Sequence, residues 1–348
     1  MIRLDRLGLV ALAAGLAVLV AGCERPPVKA EQKGYRGLGM EQVKNPRTEK
    51  AVLAAMNIPD ALPKANAGGP KAGTVYKNVK VLGDLSEEQF NRVMGAITEW
   101  VSPEQGCAYC HNVENMADGS KYTHAVARRM FQMTRQINET WKPHVGATGV
   151  TCYTCHAGNP VPKNIWFKDA SQINAPFKHA GYRADGQNLA HKQIGMTSLP
   201  GDPFQRFLAA KEAKPNEIRV IPTKALPANP AHSKDVKDAE ATYALMIHMS
   251  QGLGVNCTYC HNTRSFFKWE QSTPQRLTAW HGIRMVQDLN QNYLDPLKPV
   301  YPANRLGASG DAPKAFCTTC HQGQAKPLNG KQMLKDYLEL NTVSLAKY

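Results

Sequence analysis

Apolar residues recur at helical spacing in four stretches of this chain, and the stretches between them carry little periodicity. Ser86-Glu87-Glu88-Gln89 has the form of a capping box, and Phe90, Val93, Met94, Ile97 and Val101 follow it on one face, which predicts a helix. A second helix is predicted from about Lys121 to Trp141, with Val126, Met130, Met133 and Ile137 aligned and Pro143 just past its end. Roughly Asp238 to Gln251 forms a third, which presents Tyr243, Met246 and Met249. Thr273-Pro274 opens a fourth with proline at the first helical position, and it runs through Trp280 and Met285 to about Leu294. Residues 24–80 and 159–233 are rich in Pro, Gly, Lys and Asn and have few periodic apolar positions. They are too long for plain linkers, so they are expected to wrap over the helices and lie on the surface. The fold class is mainly α.

The N-terminus has a different pattern. Arg3 and Arg6 precede an apolar run from Leu7 to Gly22, the charged and hydrophobic regions of an export signal. About 16 apolar residues fall short of the roughly 20 that a membrane span needs. The run ends Val20-Ala21-Gly22-Cys23, which resembles the lipobox of bacterial lipoproteins. That resemblance implies removal of residues 1–22 and diacylation of Cys23, and two acyl chains anchor a protein stably where one does not. The rest of the chain has no second long apolar run and reads as a body outside the cytoplasm, tethered to a membrane.

Cysteine usage then gives the chemistry. The chain has 9 Cys, and eight of them fall in four Cys-x-x-Cys-His motifs: Cys107, Cys110, His111; Cys152, Cys155, His156; Cys257, Cys260, His261; and Cys317, Cys320, His321. Zinc sites space their histidines further from the cysteine pair, and a redox dithiol needs no histidine at all. A histidine directly after every pair is the signature of c-type haem attachment: two thioethers hold the porphyrin, and the imidazole takes one axial position on iron. Four covalently bound haem c groups are therefore expected.

The formal charge of +14 would ordinarily raise nucleic acid as a partner. Each haem adds two propionates, which brings the loaded protein to about +6, and no basic run carries interleaved aromatics, so no nucleic-acid partner is expected.

The order of signals repeats. Met94, a motif, Met130 and a motif are followed by Met246, a motif, Met285 and a motif; Tyr109-Cys110-His111-Asn112 echoes Tyr259-Cys260-His261-Asn262, and Arg129-Met130 echoes Arg284-Met285. This predicts two dihaem modules related by an approximate twofold axis. The boundaries read as a wrapping segment at 23–80, the first module at 81–160, a connection at 161–235, the second module at 236–325 and a tail at 326–348. A haem that only passes electrons has both axial positions filled, and thioether ligation raises its potential. A methionine on an apolar helix face is more often packing than ligand, but Met94 and Met246 each stand on the helix just before a motif; Met133 and Met249 are their alternates. Arg128, Arg129, Arg276 and Arg284 lie near these helices, either to tune potentials or to pair with propionates.

Taken together, four paired motifs, the lipobox, Met-bearing helices and Lys142-Pro143-His144-Val145-Gly146 closely resemble the tetrahaem cytochrome subunit of purple-bacterial photosynthetic reaction centres. The resemblance implies three His/Met haems and one bis-His haem: Met94 with His111, Met130 with His156, Met246 with His261, and His144 with His321. Internal duplication alone would instead offer Met285 to the fourth haem; the family pattern favours His144, with Met285 left as a core residue. The remaining histidines, at 124, 179, 191, 232, 248 and 281, are expected at the surface. The resemblance further implies an electron carrier and not an enzyme, because every iron has a distal ligand. It would stand on the periplasmic face of the membrane and contact the L- and M-type core subunits. Its electrons would come from a soluble cytochrome c or high-potential iron–sulfur protein and pass to the photo-oxidised bacteriochlorophyll pair.

Overall fold

The computed structural model describes residues 28–33, 40–168, 193–195, 198–209, 218, 220 and 236–341. The signal segment, Cys23, His179, His191 and His232 lie outside the described residues. In chain order the named elements are strands β1 (Lys29–Gln32) and β2 (Glu41–Lys44) and helices α1 (Pro46–Ala55), α2 (Ala72–Val75), α3 (Glu87–Val101), α4 (Tyr122–Thr140), α5 (Lys142–Val145), α6 (Cys152–His156), α7 (Phe204–Leu208), α8 (Val236–Leu253), α9 (Pro274–Asp288) and α10 (Cys317–His321). The protein is mostly helical, and its strands form a single antiparallel hairpin among the described residues, with Lys29 opposite Lys44. No helix among those residues is long and apolar enough to cross a membrane.

The four predicted helices form where the periodicity places them. At the start of α3, Ser86 Oγ accepts from Gln89 N at 3.2 Å and Gln89 Oε1 accepts from Ser86 N at 3.1 Å, so the capping box satisfies two otherwise unpaired amides. Pro274 stands in the first turn of α9, where a missing N–H costs nothing. Beyond Asp288 the chain widens into a π-helical stretch, Leu289–Leu294, which turns Asn290 inward. Asn290 Nδ2 donates to the carbonyls of Leu208 and Ala315, and Ala315 N donates back to Oδ1. Asn138 on α4 does the same with Val150 and Leu340. Each asparagine thus pins the strand of chain leading into a motif helix, α6 or α10.

Three apolar clusters hold the body together. The first packs Val93, Ala96 and Trp100 of α3 against Tyr153 and, from the far C-terminal end, Leu334, Tyr337 and Leu340. Arg92 fastens that end through a buried ion pair with Glu339 at 3.1 Å and through the carbonyls of Leu62, Pro63 and Asp336. In the second cluster Ala244 and Leu245 of α8 pack on Ile283, Val286, Phe204 and Phe316. The third joins the halves: Ile137 and Val150 meet Met285 and Leu289.

Two expectations from the sequence are corrected here. Parts of the weakly patterned segments are interior, not surface: Gln42 is 2 % exposed, and Met40, Ile194, Phe207 and Leu208 are fully buried. Ile194, Phe207 and Leu208 are buried because they pack with the apolar residues of α8 and α9, and Gln42 because it bonds Asn256 and Thr258. His248, expected at the surface, is 1 % exposed between Phe204 and Phe316. The apolar faces of α7 and of the chain before α10 close over its side of α8.

Candidate haem-binding sites

The four motif histidines are oriented by one device. His111 Nδ1 donates to the Met116 carbonyl at 3.0 Å and His261 Nδ1 to that of Phe266 at 2.9 Å. His156 Nδ1 donates to the Asn159 carbonyl at 2.8 Å and His321 Nδ1 to that of Gln324 at 2.9 Å. A carbonyl only accepts, so the ring proton sits on Nδ1 and Nε2 keeps its lone pair for a metal. The first and third motifs lie on single 3₁₀ turns, Gly106–Tyr109 and Cys257–Tyr259, each held by a threonine, Thr123 or Thr273, bonding the tyrosine carbonyl inside the motif. The second and fourth are the one-turn helices α6 and α10, each ended by a left-handed residue, Ala157 or Gln322. These two helices abut, with the Cys155 and Cys320 thiols in contact at 2.8 Å.

A single cavity of about 840 Å³ is walled by Cys107, Cys110 and His111 of the first motif and by Cys152, Cys155 and His156 of the second. Met94 and Met130 line the same space. Thr98 and Thr134, one turn further along α3 and α4, bond back to the carbonyls of those two methionines. The wall is largely apolar, and its charged side chains are Lys77, Lys80, Arg128, Arg305 and Lys314, with no carboxylate. A flat apolar macrocycle with anionic edge groups suits such a lining, so these residues fit haem.

His144 reaches the fourth motif from across the molecule. It sits on α5, packed on α9, and its Nδ1 donates to the Thr278 carbonyl at 2.9 Å. Its ring centre is 6.0 Å from that of His321. Metal–imidazole bonds are about 2 Å, so two rings on opposite sides of one iron have centres about 6 Å apart. Gly282 permits the approach, because a Cβ there would lie 2.5 Å from His144 Cε1. His111 and His124, by contrast, have centres 4.9 Å apart, too close to hold an iron between them. Met285 is 5 % exposed, within the cluster that joins the halves, and Met246 is partly buried on α8.

Burial lowers the imidazole pKa of His144, His156 and His261. For His321 burial, with the neighbouring His144 adding to it, brings the value to about 4. These rings are therefore neutral near pH 7, the state in which imidazole binds metal. Burial also raises the thiols, to about 12 for Cys152 and Cys317 and to about 11 for Cys110 and Cys260, which keeps them protonated.

Residues 24–341 match the family model described as the photosynthetic reaction centre cytochrome C subunit. The chain belongs to that family. It is 53 % identical over 334 residues to the photosynthetic reaction center cytochrome c subunit of Rubrivivax gelatinosus, covering 95 % of this chain and 88 % of the relative. The corresponding subunit of Thermochromatium tepidum is 49 % identical, with 96 % and 80 % covered, and that of Roseobacter denitrificans 40 %, with 96 % and 91 % covered. As a reaction-centre cytochrome subunit, the chain is a membrane-associated electron carrier in photosynthesis, associates with the reaction-centre core and carries covalent haem c.

Some site features left no mark in the sequence. The carbonyls that orient the imidazoles come from Met116, Asn159, Phe266 and Gln324, and any residue type supplies a carbonyl. Gly282 looks like an ordinary helical glycine until His144 is placed beside it.

Proposed function

We propose that the chain relays electrons through four haems, from a soluble periplasmic donor to the photo-oxidised bacteriochlorophyll pair. When bound, each haem supplies a one-electron ferrous/ferric couple. Cys107, Cys110, Cys152, Cys155, Cys257, Cys260, Cys317 and Cys320 hold the porphyrins, and His111, His156, His261 and His321 are the proximal ligands. Met94, Met130, Met246 and His144 are the distal ones. A methionine sulfur donates weakly and favours the reduced metal, whereas a second imidazole favours the oxidised one, so His144 sets one step of the relay lower than the others.

The observation that carries this reading is the shared cavity, in which two ligand pairs, Met94 with His111 and Met130 with His156, line one space with the four cysteines of the first two motifs and Cys320 of the fourth. The recurrence of the same hydrogen bonds at the first and third motifs, and again at the second and fourth, supports two dihaem modules related by a pseudo-twofold axis. In this reading 81–160 and 236–325 are the modules, joined by 161–235. Within segment 23–80, residues 40–80 contact both: Gln42 bonds Asn256 and Thr258, while Asn57 and Leu62 bond Tyr153 and Tyr337. Residues 326–341 close on the first module through Arg92, which pairs with Glu339 and bonds the Asp336 carbonyl.

Acylated Cys23 ties the chain to the periplasmic face, against the L- and M-type core subunits. The soluble donor is a small cytochrome c or a high-potential iron–sulfur protein.

Flash photolysis of membranes tests the reading. Haem oxidation within microseconds of the flash is expected, and haem that stays reduced while the photo-oxidised pair recovers by another route would refute the relay. A Cys23→Ser variant should appear in the soluble fraction.

A further inference from the structure

The first cavity is closed on one side by the second half of the chain. The segment after the π-helical stretch brings Tyr301 against Tyr122, with ring centres 6.2 Å apart, and the short 3₁₀ turn Ala303–Arg305 follows directly. Arg305 lines the cavity there, and its Nη2 donates to the Tyr109 hydroxyl at 3.4 Å, a long bond to a residue between the first two attachment cysteines. Arg305 lines the cavity and forms no ion pair with a described residue, and its guanidinium has five donors against the one bond to Tyr109. A second cation at this wall, Lys314, is already held by Asp311 at 2.6 Å. The cavity offers no carboxylate of its own to any of its cations.

We propose that Arg305 binds a propionate of one of the two haems of the first module, so that the second half of the chain supplies a cofactor-binding residue to the first. The inference rests on the four-haem reading. Arg suits the role because its planar fork matches a carboxylate bidentately, and in a largely apolar cavity the charge is poorly screened. Neutralising the propionate removes a negative charge that would otherwise favour ferric iron. Arg305 therefore raises the midpoint of that haem, and Tyr301 fixes the segment that delivers it.

The test uses the full-length haem-loaded protein, as wild type, Arg305→Gln and Arg305→Lys, with haem content per chain and equilibrium redox titration of the α-bands. Four haems per chain are expected in all three. In Arg305→Gln one midpoint of the four should fall by about a tenfold change in the reduced-to-oxidised ratio at fixed poise, about 59 mV for one electron. Arg305→Lys should restore most of that fall, which a purely structural role for the arginine would not produce. Four unmoved midpoints in Arg305→Gln, or a fall that lysine fails to restore, would overturn the assignment of Arg305 alone. A wild-type count other than four would instead overturn the reading beneath it.

Discussion

The ring centres of His144 and His321 lie 6.0 Å apart, although the two residues come from helices far apart in sequence. That separation, with Nδ1 of each ring committed to a carbonyl, leaves both Nε2 atoms for one metal. Replacing His144 by Met should convert one haem of four to His/Met ligation and raise its midpoint by more than a tenfold shift in the redox ratio, about 59 mV. Redox titration of the purified protein checks this. If all four midpoints stay where they were, His144 is not a ligand.

Gly282 has a narrower role. An added methyl would lie 2.5 Å from His144 Cε1, and that ring has little room to retreat while Thr278 holds it. Gly282→Ala should displace the imidazole and open one iron to carbon monoxide in the reduced protein. A variant that binds no carbon monoxide would show that the site tolerates the methyl.

Met130 and Met285 occupy comparable places in the repeat but differ in surroundings: Met130 lines the cavity, while Met285 is enclosed by Ile137, Val150 and Leu289. Met130→Leu should leave one haem five-coordinate and weaken the far-red band of His/Met haems. Met285→Leu, a volume-conserving core change, should leave the spectrum intact and cost less than about 1.5 kcal/mol.

His248 makes stability depend on pH. Burial depresses its pKa to about 4 from an ordinary 6.5, so between those values the unfolded chain takes up a proton that the folded chain refuses. The stability contributed by keeping His248 neutral is fully present above about 6.5 and is lost as pH drops toward 4. His248→Phe keeps the aromatic contacts with Phe204 and Phe316, so its melting temperature should fall less than that of the wild type between pH 7 and pH 5. Equal losses would show that other groups govern the acid limb.

The Arg92–Glu339 pair is nearly inaccessible to water on both sides. Arg92→Ala leaves a buried carboxylate without its partner and should cost about 3–5 kcal/mol in denaturant unfolding. A loss under 1 kcal/mol would mean that the Leu334–Leu340 end holds to α3 by apolar contact alone.

Much was legible in the chain because it depended on neighbours in sequence. Ser86 and Gln89 are three residues apart, so their capping box could be read directly, and the 3.6-residue period marked α3, α4, α8 and α9. That the chain carries covalent haem c was legible for the same reason, because the attachment signature is confined to five consecutive residues. Parts of the wrapping segments are interior where surface was expected, because burial of Ile194, Phe207 and Gln42 depends on what lies over them, and that carries no local period.

Local order thus determined four helices and four Cys-x-x-Cys-His motifs, since each is set within a few residues of backbone. Tertiary structure decided the rest: which half covers the first cavity, that His144 meets His321 across Gly282, and that Met285 belongs to the core. Those outcomes turn on separations of a few ångströms between residues more than a hundred positions apart, and only packing of the whole chain fixes such distances.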